Sequence, residues 1–161
     1  MSEKPKIVDS DLQNNPFTIN NDFKIDVKVR TDFHTFRKVG GLEKPNEYAY
    51  DVDKCTKVFI SHNKRVSISL LKSYTQRLIL WLIYELESGK DYIWINKGRY
   101  MKENHLKDVR VYKHAIDDLI RYKYILPVGI SFYKDVYWIN PYIFFCGSRV
   151  EKYNNKLNIL Q

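Results

Sequence analysis

The stretch from residue 92 to residue 145 constrains the fold more than any other part of the chain, because β-type and helical runs alternate in it at short intervals. It opens with the run YIWI at residues 92–95 and closes with two β-rich runs, ILPVGISF and VYWI, joined through residues 133–135. Between them, Asn96 and Asp108 each precede a helical run and can accept hydrogen bonds from its free amides. Strand, helix, turn, helix and hairpin in this order are typical of a winged helix-turn-helix. The predicted fold class is α+β, a winged helix-turn-helix with an N-terminal β extension.

Alternating and turn-type patterns precede this stretch. Residues 23–30, FKIDVKVR, alternate apolar with charged side chains, which predicts a strand with one buried face. A loop containing Gly40, Gly41 and Pro45 follows, and residues 57–60 predict a second strand. The predicted divisions are a flexible N-terminal lead (1–16), a β-rich N-terminal extension (17–63), the winged helix-turn-helix domain (64–150) and a C-terminal tail (151–161).

A broad apolar stripe predicts a further helix before residue 92. Its members, at spacings of one, three, one and three residues, are Leu78, Ile79, Leu82, Ile83 and Leu86. Trp81 and Tyr84 widen the stripe to nearly all sides, so this helix is predicted to be central in the fold. Gly89 suits the left-handed position that ends a helix.

The helical run after Asp108 has an apolar face and a basic face. The apolar residues predicted to pack inward, at spacings of three and four, are Tyr112, Ala115 or Ile116, and Leu119. Arg110, Lys113 and His114 lie in its N-terminal half and are predicted to point outward, where residues of a recognition helix reach base edges. Arginine can pair bidentately with guanine, and lysine can reach base edges or phosphate. These three residues are the predicted base-reading residues of a site for double-stranded DNA.

The distribution of charge favours a nucleic-acid partner. The chain has 27 Lys and Arg against 19 Asp and Glu, a net charge of +8, and such a balance favours negatively charged partners. Residues 97–123 hold eight basic against four acidic residues, so half of the excess lies in this short segment. The residues predicted to contact phosphates, the last of them at the tip of the wing, are Lys97, Arg99, Lys102, Lys107 and Lys134. The competing interpretation is a solvated face on a module that docks other proteins.

The sequence lacks motifs for catalysis, metals or membranes. Cys55 and Cys146 lie far apart and the four histidines are scattered, so neither a disulfide nor a metal site is predicted. No phosphate-binding glycine loop occurs, so no cofactor and no enzyme activity are predicted. The longest apolar run, residues 78–84, is too short to span a bilayer, and the first residues lack the apolar core of a signal peptide. A cytoplasmic protein without a membrane partner is the prediction.

The segment after the wing resembles a known family. Residues 136–147 read VYWINPYIFFCG, with an aliphatic-Asn-Pro element and an Ile/Phe-Phe pair before a glycine. This resembles the end of the RepL family of plasmid replication proteins, and the likeness extends in outline over residues 56–150. Ser148 departs from the acidic or amide residue common there, and residues 23–50 have no counterpart. The resemblance implies DNA binding in replication initiation or copy control of a plasmid or phage, in the cytoplasm of a bacterial host cell.

The Asn-Pro element also has a physical interpretation. Asn140 can bond its local backbone and Pro141 fixes the direction in which the chain leaves the strand. Ile143 and Phe144 would then fold back onto the core. We therefore predict a structural lock at this position rather than a binding site.

Three functions follow from these patterns as hypotheses. The first is a sequence-specific double-stranded DNA-binding protein of a plasmid or phage. The second is a phage virion or assembly protein that uses the same fold for protein contacts, with its N-terminal strand adding to a sheet edge. The third is a transcriptional repressor. A homodimer, or contacts with other replication or virion proteins, would accompany these functions, and the sequence leaves the oligomeric state open.

Overall fold

A computed structural model describes residues 5–12, 14–20, 22–51 and 68–159 of the chain, and it is a mixed α+β structure over these ranges. The predicted strand at residues 57–60 lies outside them. The helices are α1 (Pro16–Ile19), α2 (Ser73–Glu85), α3 (Lys97–Glu103), α4 (Val109–Arg121) and α5 (Arg149–Lys152). The strands are β1 (Ile25–Val39), β2 (Leu42–Asp51), β3 (Tyr92–Trp94), β4 (Ile125–Pro127), β5 (Val136–Ile139) and β6 (Leu157–Ile159). They form two three-stranded sheets, ordered β2-β1-β6 and β3-β5-β4.

The predicted order of elements between residues 92 and 139 is confirmed. β3 is followed by α3 and α4, and β5 then lies between β3 and β4 with antiparallel pairing on both sides. Both predicted helix starts are also confirmed. The Asn96 side chain accepts a hydrogen bond from the amide of Arg99 at 2.9 Å, and Asp108 accepts one from the amide of Arg110 at 2.8 Å.

The connection between β4 and β5 is longer than the predicted turn at residues 133–135. It spans residues 128–135, because β4 ends at Pro127 instead of continuing through the β-rich run. The Val128 amide still donates to the Val136 carbonyl at 3.0 Å. Gly129 then adopts a φ of 79°, which turns the chain away from the strand direction. The prediction of a strand through residue 132 is therefore wrong, and a broad loop replaces a tight hairpin.

Helix α2 is buried on one face only. Leu78, Ile79 and Leu82 are fully buried, as the stripe predicts, but Tyr84 is 82% exposed, so the prediction of burial on nearly all sides is wrong. An aromatic ring does not by itself indicate burial. Gly89 has a φ of 75°, but α2 has already ended at Glu85. The prediction for Gly89 at the helix end is thus also wrong, and its amide instead donates to the Cys146 carbonyl at 2.8 Å.

The N-terminal extension is a long two-stranded ribbon. The predicted strand at residues 23–30 is confirmed in type, but β1 continues to Val39 and pairs antiparallel with β2. Gly40 and Gly41, with φ of 60° and 82°, form the two-residue turn between the strands. Pro45 lies in β2 and not in a loop, contrary to the prediction. β2 is an edge strand, where the missing amide hydrogen of proline is tolerated.

The described parts of the N-terminal lead, which was predicted to be flexible, and of the C-terminal tail make contacts with the rest of the structure. Asn15 is buried, and its side-chain Nδ2 donates to the backbone carbonyls of Asp91 and Ile139 at 3.3 and 3.0 Å. Asp9 forms an ion pair with Lys90 at 2.7 Å. In the tail, β6 adds to β1 as a parallel strand. The lead is thus joined to β5 and to the residues before β3, and the tail is joined to β1.

A buried ion pair joins the ribbon to the turn after β5. The Arg149 guanidinium, whose side chain is 1% exposed, donates to both carboxylate oxygens of Asp51 at 2.7 Å and to the Pro141 carbonyl at 3.0 Å. The adjacent Asn140 is buried, donates to the Lys123 carbonyl at 2.7 Å and accepts from a nearby amide at 3.1 Å. The Asn-Pro turn is a structural lock, as predicted.

Ile143 and Phe144, the two residues that the lock was predicted to fold back, are buried in the core. Both of their amides donate to the Asn140 carbonyl, at 2.9 and 3.1 Å. One backbone oxygen thus helps to hold the chain reversal, and the apolar side chains that follow it close the core beneath β5.

Candidate nucleic-acid interface

Helix α4 exposes a single polar stripe. Its inward residues are Tyr112, Ala115, Ile116 and Leu119, all buried, which confirms the predicted packing face. The side chains of Arg110, Lys113 and His114 are exposed, as predicted, and so is that of Arg121 two turns later. Only Asp117 interrupts this stripe with a negative charge. The arrangement can present three cations and one imidazole to a partner along about three turns of helix.

Helix α4 is anchored to α2 through a polar contact that sequence patterns did not reveal. The Asp118 carboxylate accepts a hydrogen bond from the Thr75 hydroxyl at 3.0 Å, and Thr75 is fully buried in α2. Since Leu119 is also fully buried, the C-terminal half of α4 is held on two sides. Asp118 therefore turns toward the protein while Asp117 stays exposed.

The first of the predicted base-reading residues has a local partner. Arg110 forms an ion pair with Asp108 at 3.0 Å, and its side chain is 84% exposed. The hydrogen bonds that the Arg110 side chain and the Arg110 amide donate to Asp108 hold the pKa of its carboxyl below the ordinary value. An ion pair in water contributes little to stability. The guanidinium can therefore exchange this carboxylate for another acceptor at little cost.

Four of the five predicted phosphate-contacting residues are exposed lysines. Lys97 and Lys102 lie on α3, Lys107 in the turn before α4, and Lys134 in the loop between β4 and β5. No carboxylate of the described residues lies within ion-pair distance of any of these four side chains. Their positive charges are thus available to a partner.

The fifth, Arg99, is already paired within the protein. Its two terminal nitrogens donate to the carboxylate of Glu85 at 2.7 and 2.8 Å, and its Nε donates to Glu103 at 2.7 Å. The indole of Trp81 completes the group by donating to Glu103 at 2.7 Å. These hydrogen bonds raise the pKa of Arg99 and clamp α3 onto α2. The phosphate contact of Arg99 stays a prediction, and its charge is balanced by two carboxylates.

Phe132 is a candidate contact residue that the sequence patterns did not single out. Its ring is 88% exposed, two residues from Lys134 in the loop between β4 and β5. Apolar side chains placed in this way can insert between base steps from the minor groove. The residue was missed because the β-rich run around it predicted a paired strand, in which an aromatic ring usually packs.

Comparisons with models of protein families, with curated proteins and with solved structures gave no match to this chain. The resemblance to RepL proteins therefore stays a prediction. Among the described residues, no three His, Cys, Asp or Glu side chains lie together as a metal site would require. None of the helices in the described ranges combines the length and the apolar character that crossing a bilayer needs.

Proposed function

We propose that residues 73–139 form a winged helix-turn-helix that binds double-stranded DNA, with α4 as its recognition helix. The observation that carries the proposal is the basic stripe of α4, which lies opposite a fully packed apolar face on a helix capped by Asp108. The succession of α2, β3, α3, α4 and the strand pair β4–β5 supports it, because this is the order of elements in that module. A helix of this length fits the major groove.

The proposed contacts divide by chemistry. Arg110, Lys113 and His114 read base edges in the major groove, since they occupy the exposed N-terminal half of α4. The loop at residues 128–135 acts as the wing, and Phe132 in it reaches the minor groove. The lysines that hold the phosphate backbone are Lys97, Lys102, Lys107 and Lys134. Phosphate contacts position the protein, and base contacts select the sequence.

The biological setting that we propose is replication initiation or copy control on a plasmid or phage genome. Its support is the resemblance of residues 136–147 to the end of RepL proteins. A transcriptional repressor would use the same DNA contacts. Selection from random duplexes identifies the bound sequence. Its location in a replication origin or in a promoter then distinguishes the two roles.

The DNA-binding proposal predicts strong dependence on salt. If the four exposed lysines each neutralise one phosphate, the logarithm of the association constant should fall with the logarithm of salt concentration with a slope of about −4. Fluorescence anisotropy with a labelled random duplex across a salt series measures this slope. Absence of duplex binding even at low salt would contradict the proposal and favour the virion or assembly protein.

The exposed apolar residues favour protein contacts as a second candidate function. Phe33 and Phe36 on the ribbon are 71% and 55% exposed, and Tyr84 on α2 is 82% exposed. Such side chains suit a homodimer or a contact with other replication or virion proteins. Sedimentation velocity over a range of protein concentrations tests the homodimer directly.

A further inference from the structure

The ribbon extends well beyond the core that anchors it. Ile25 and Val27 at its base are buried, whereas Val29 is already 44% exposed. Between residues 30 and 44, all of which the structure describes, no side chain is buried. The ribbon beyond its base therefore presents both of its faces to solvent, and neither face is used by the proposed winged helix-turn-helix.

The strand register separates the ribbon side chains into two chemically different faces. Residues directly opposite each other in an antiparallel pair lie on the same face. Lys28 is opposite Tyr50, and Arg30 is opposite Tyr48. The register shifts between Asp32 and Phe36, but alternation along β2 continues and places Lys44, the partner of Arg37, on this face too. We call it the tyrosine face. Its basic and aromatic side chains are those of Lys28, Arg30, Arg37, Lys44, Tyr48 and Tyr50.

The two faces differ in charge. The tyrosine face has its four cations against two carboxylates, Asp26 and Asp32. Asp32 is bound locally, because it accepts hydrogen bonds from the His34 amide and the Thr35 hydroxyl. The opposite face has Lys38 against Glu43 and Glu47, and the charge of Asp51 at its base is balanced by the buried ion pair with Arg149. Positive charge is therefore concentrated on the side that also carries the tyrosine rings.

We propose that the tyrosine face is a binding site for single-stranded nucleic acid. Tyr48 and Tyr50 are 54% and 48% exposed, so each ring can accept a stacked base. Each ring has a cation directly across the ribbon, which can hold the phosphate next to that base. The cation–tyrosine unit is repeated after two residues, so the site can follow a strand. A duplex suits it less, since its bases are already stacked on each other.

This site goes beyond the proposed winged helix-turn-helix and does not depend on it. It would give the protein one surface for duplex DNA and another for an opened strand or a transcript. Stacking on tyrosine is tolerant of sequence, so the ribbon would bind without the base preference proposed for α4.

The test uses the full-length protein and fluorescein-labelled oligothymidylate and oligouridylate of about 12 nucleotides. Replacement of Tyr48 and Tyr50 together by alanine should weaken binding about 30-fold or more, which corresponds to two stacking interactions at the weak end of their range. The matched Tyr48→Phe, Tyr50→Phe variant keeps both rings and should bind like the wild type. Lys38→Ala removes a charge from the opposite face and should also leave affinity unchanged, whereas Arg37→Ala should reduce it.

The outcomes separate this proposal from its alternatives. Binding of one oligonucleotide and not the other supports the site and identifies which of the two it prefers. The proposal is overturned if the wild type binds neither oligonucleotide at low salt, or if the alanine variant binds as tightly as the wild type. Loss of dimerisation in the alanine variant without any oligonucleotide binding would instead assign the face to a protein partner. The Arg110→Ala, Lys113→Ala variant should still bind the oligonucleotides. The proposal for the tyrosine face and the proposal for α4 can therefore fail independently of each other.

Discussion

Replacing Arg110 and Lys113 together by alanine is expected to remove most of the preference of the protein for one duplex sequence while the fold stays intact. Both side chains are exposed on α4 and neither packs in the core, so their removal creates no cavity. Each well-placed base contact discriminates by about 1–3 kcal/mol, so the loss of two should reduce the specificity ratio by about 30-fold or more. Competition between a selected site and random duplex measures that ratio, and circular dichroism verifies the fold.

A matched control separates base reading from simple loss of charge. Lys24→Ala with Lys38→Ala removes two positive charges from exposed positions outside residues 73–139. This variant should bind all duplexes slightly more weakly and keep its preference, because phosphate attraction carries no sequence information. If both double variants lose preference to the same extent, α4 is not the recognition helix.

Asp51→Ala is expected to cause a large loss of stability. The Asp51 and Arg149 side chains are 4% and 1% exposed, and removal of Asp51 leaves a buried guanidinium without its bidentate partner. Breaking one side of a buried ion pair costs about 3–5 kcal/mol. Urea denaturation followed by tryptophan fluorescence should show that decrease in the free energy of unfolding.

Glu47→Ala, on the same strand but exposed, is the control and should change stability by less than about 0.5 kcal/mol. Adding Arg149→Met to Asp51→Ala should recover part of the lost stability, because the buried guanidinium that lost its bidentate carboxylate is removed. Equal stability of Asp51→Ala and Glu47→Ala would contradict the role given to the buried ion pair.

The sequence predicted those features that depend on residues only a few positions apart. Asn96 and Asp108 cap their helices through hydrogen bonds to amides two or three residues away, so the residue type at one position was sufficient. The burial of Leu119 and its neighbours follows from helical spacing in the same way. The exposed positions of Arg110 and Lys113 on α4 are the complement of that pattern.

Features that depend on distant residues were not predictable. Asp51 and Arg149 are 98 residues apart, and nothing in either local sequence indicates that they meet. The neutralisation of Arg99 by Glu85 depends on how α3 lies against α2. The tyrosine face forms only because the register of β1 and β2 places Arg30 opposite Tyr48. Each of these features depends on contacts between residues that are distant in the chain, and local sequence patterns do not reveal such contacts.

Amide chemical-shift mapping tests whether α4 enters the groove of a DNA duplex. A ¹⁵N-labelled protein is titrated with a duplex containing the selected site. If α4 enters the groove, the largest shift changes fall in residues 109–114 and in the loop at residues 128–135, with small changes in β6. Duplex binding that leaves residues 109–114 unperturbed would contradict it.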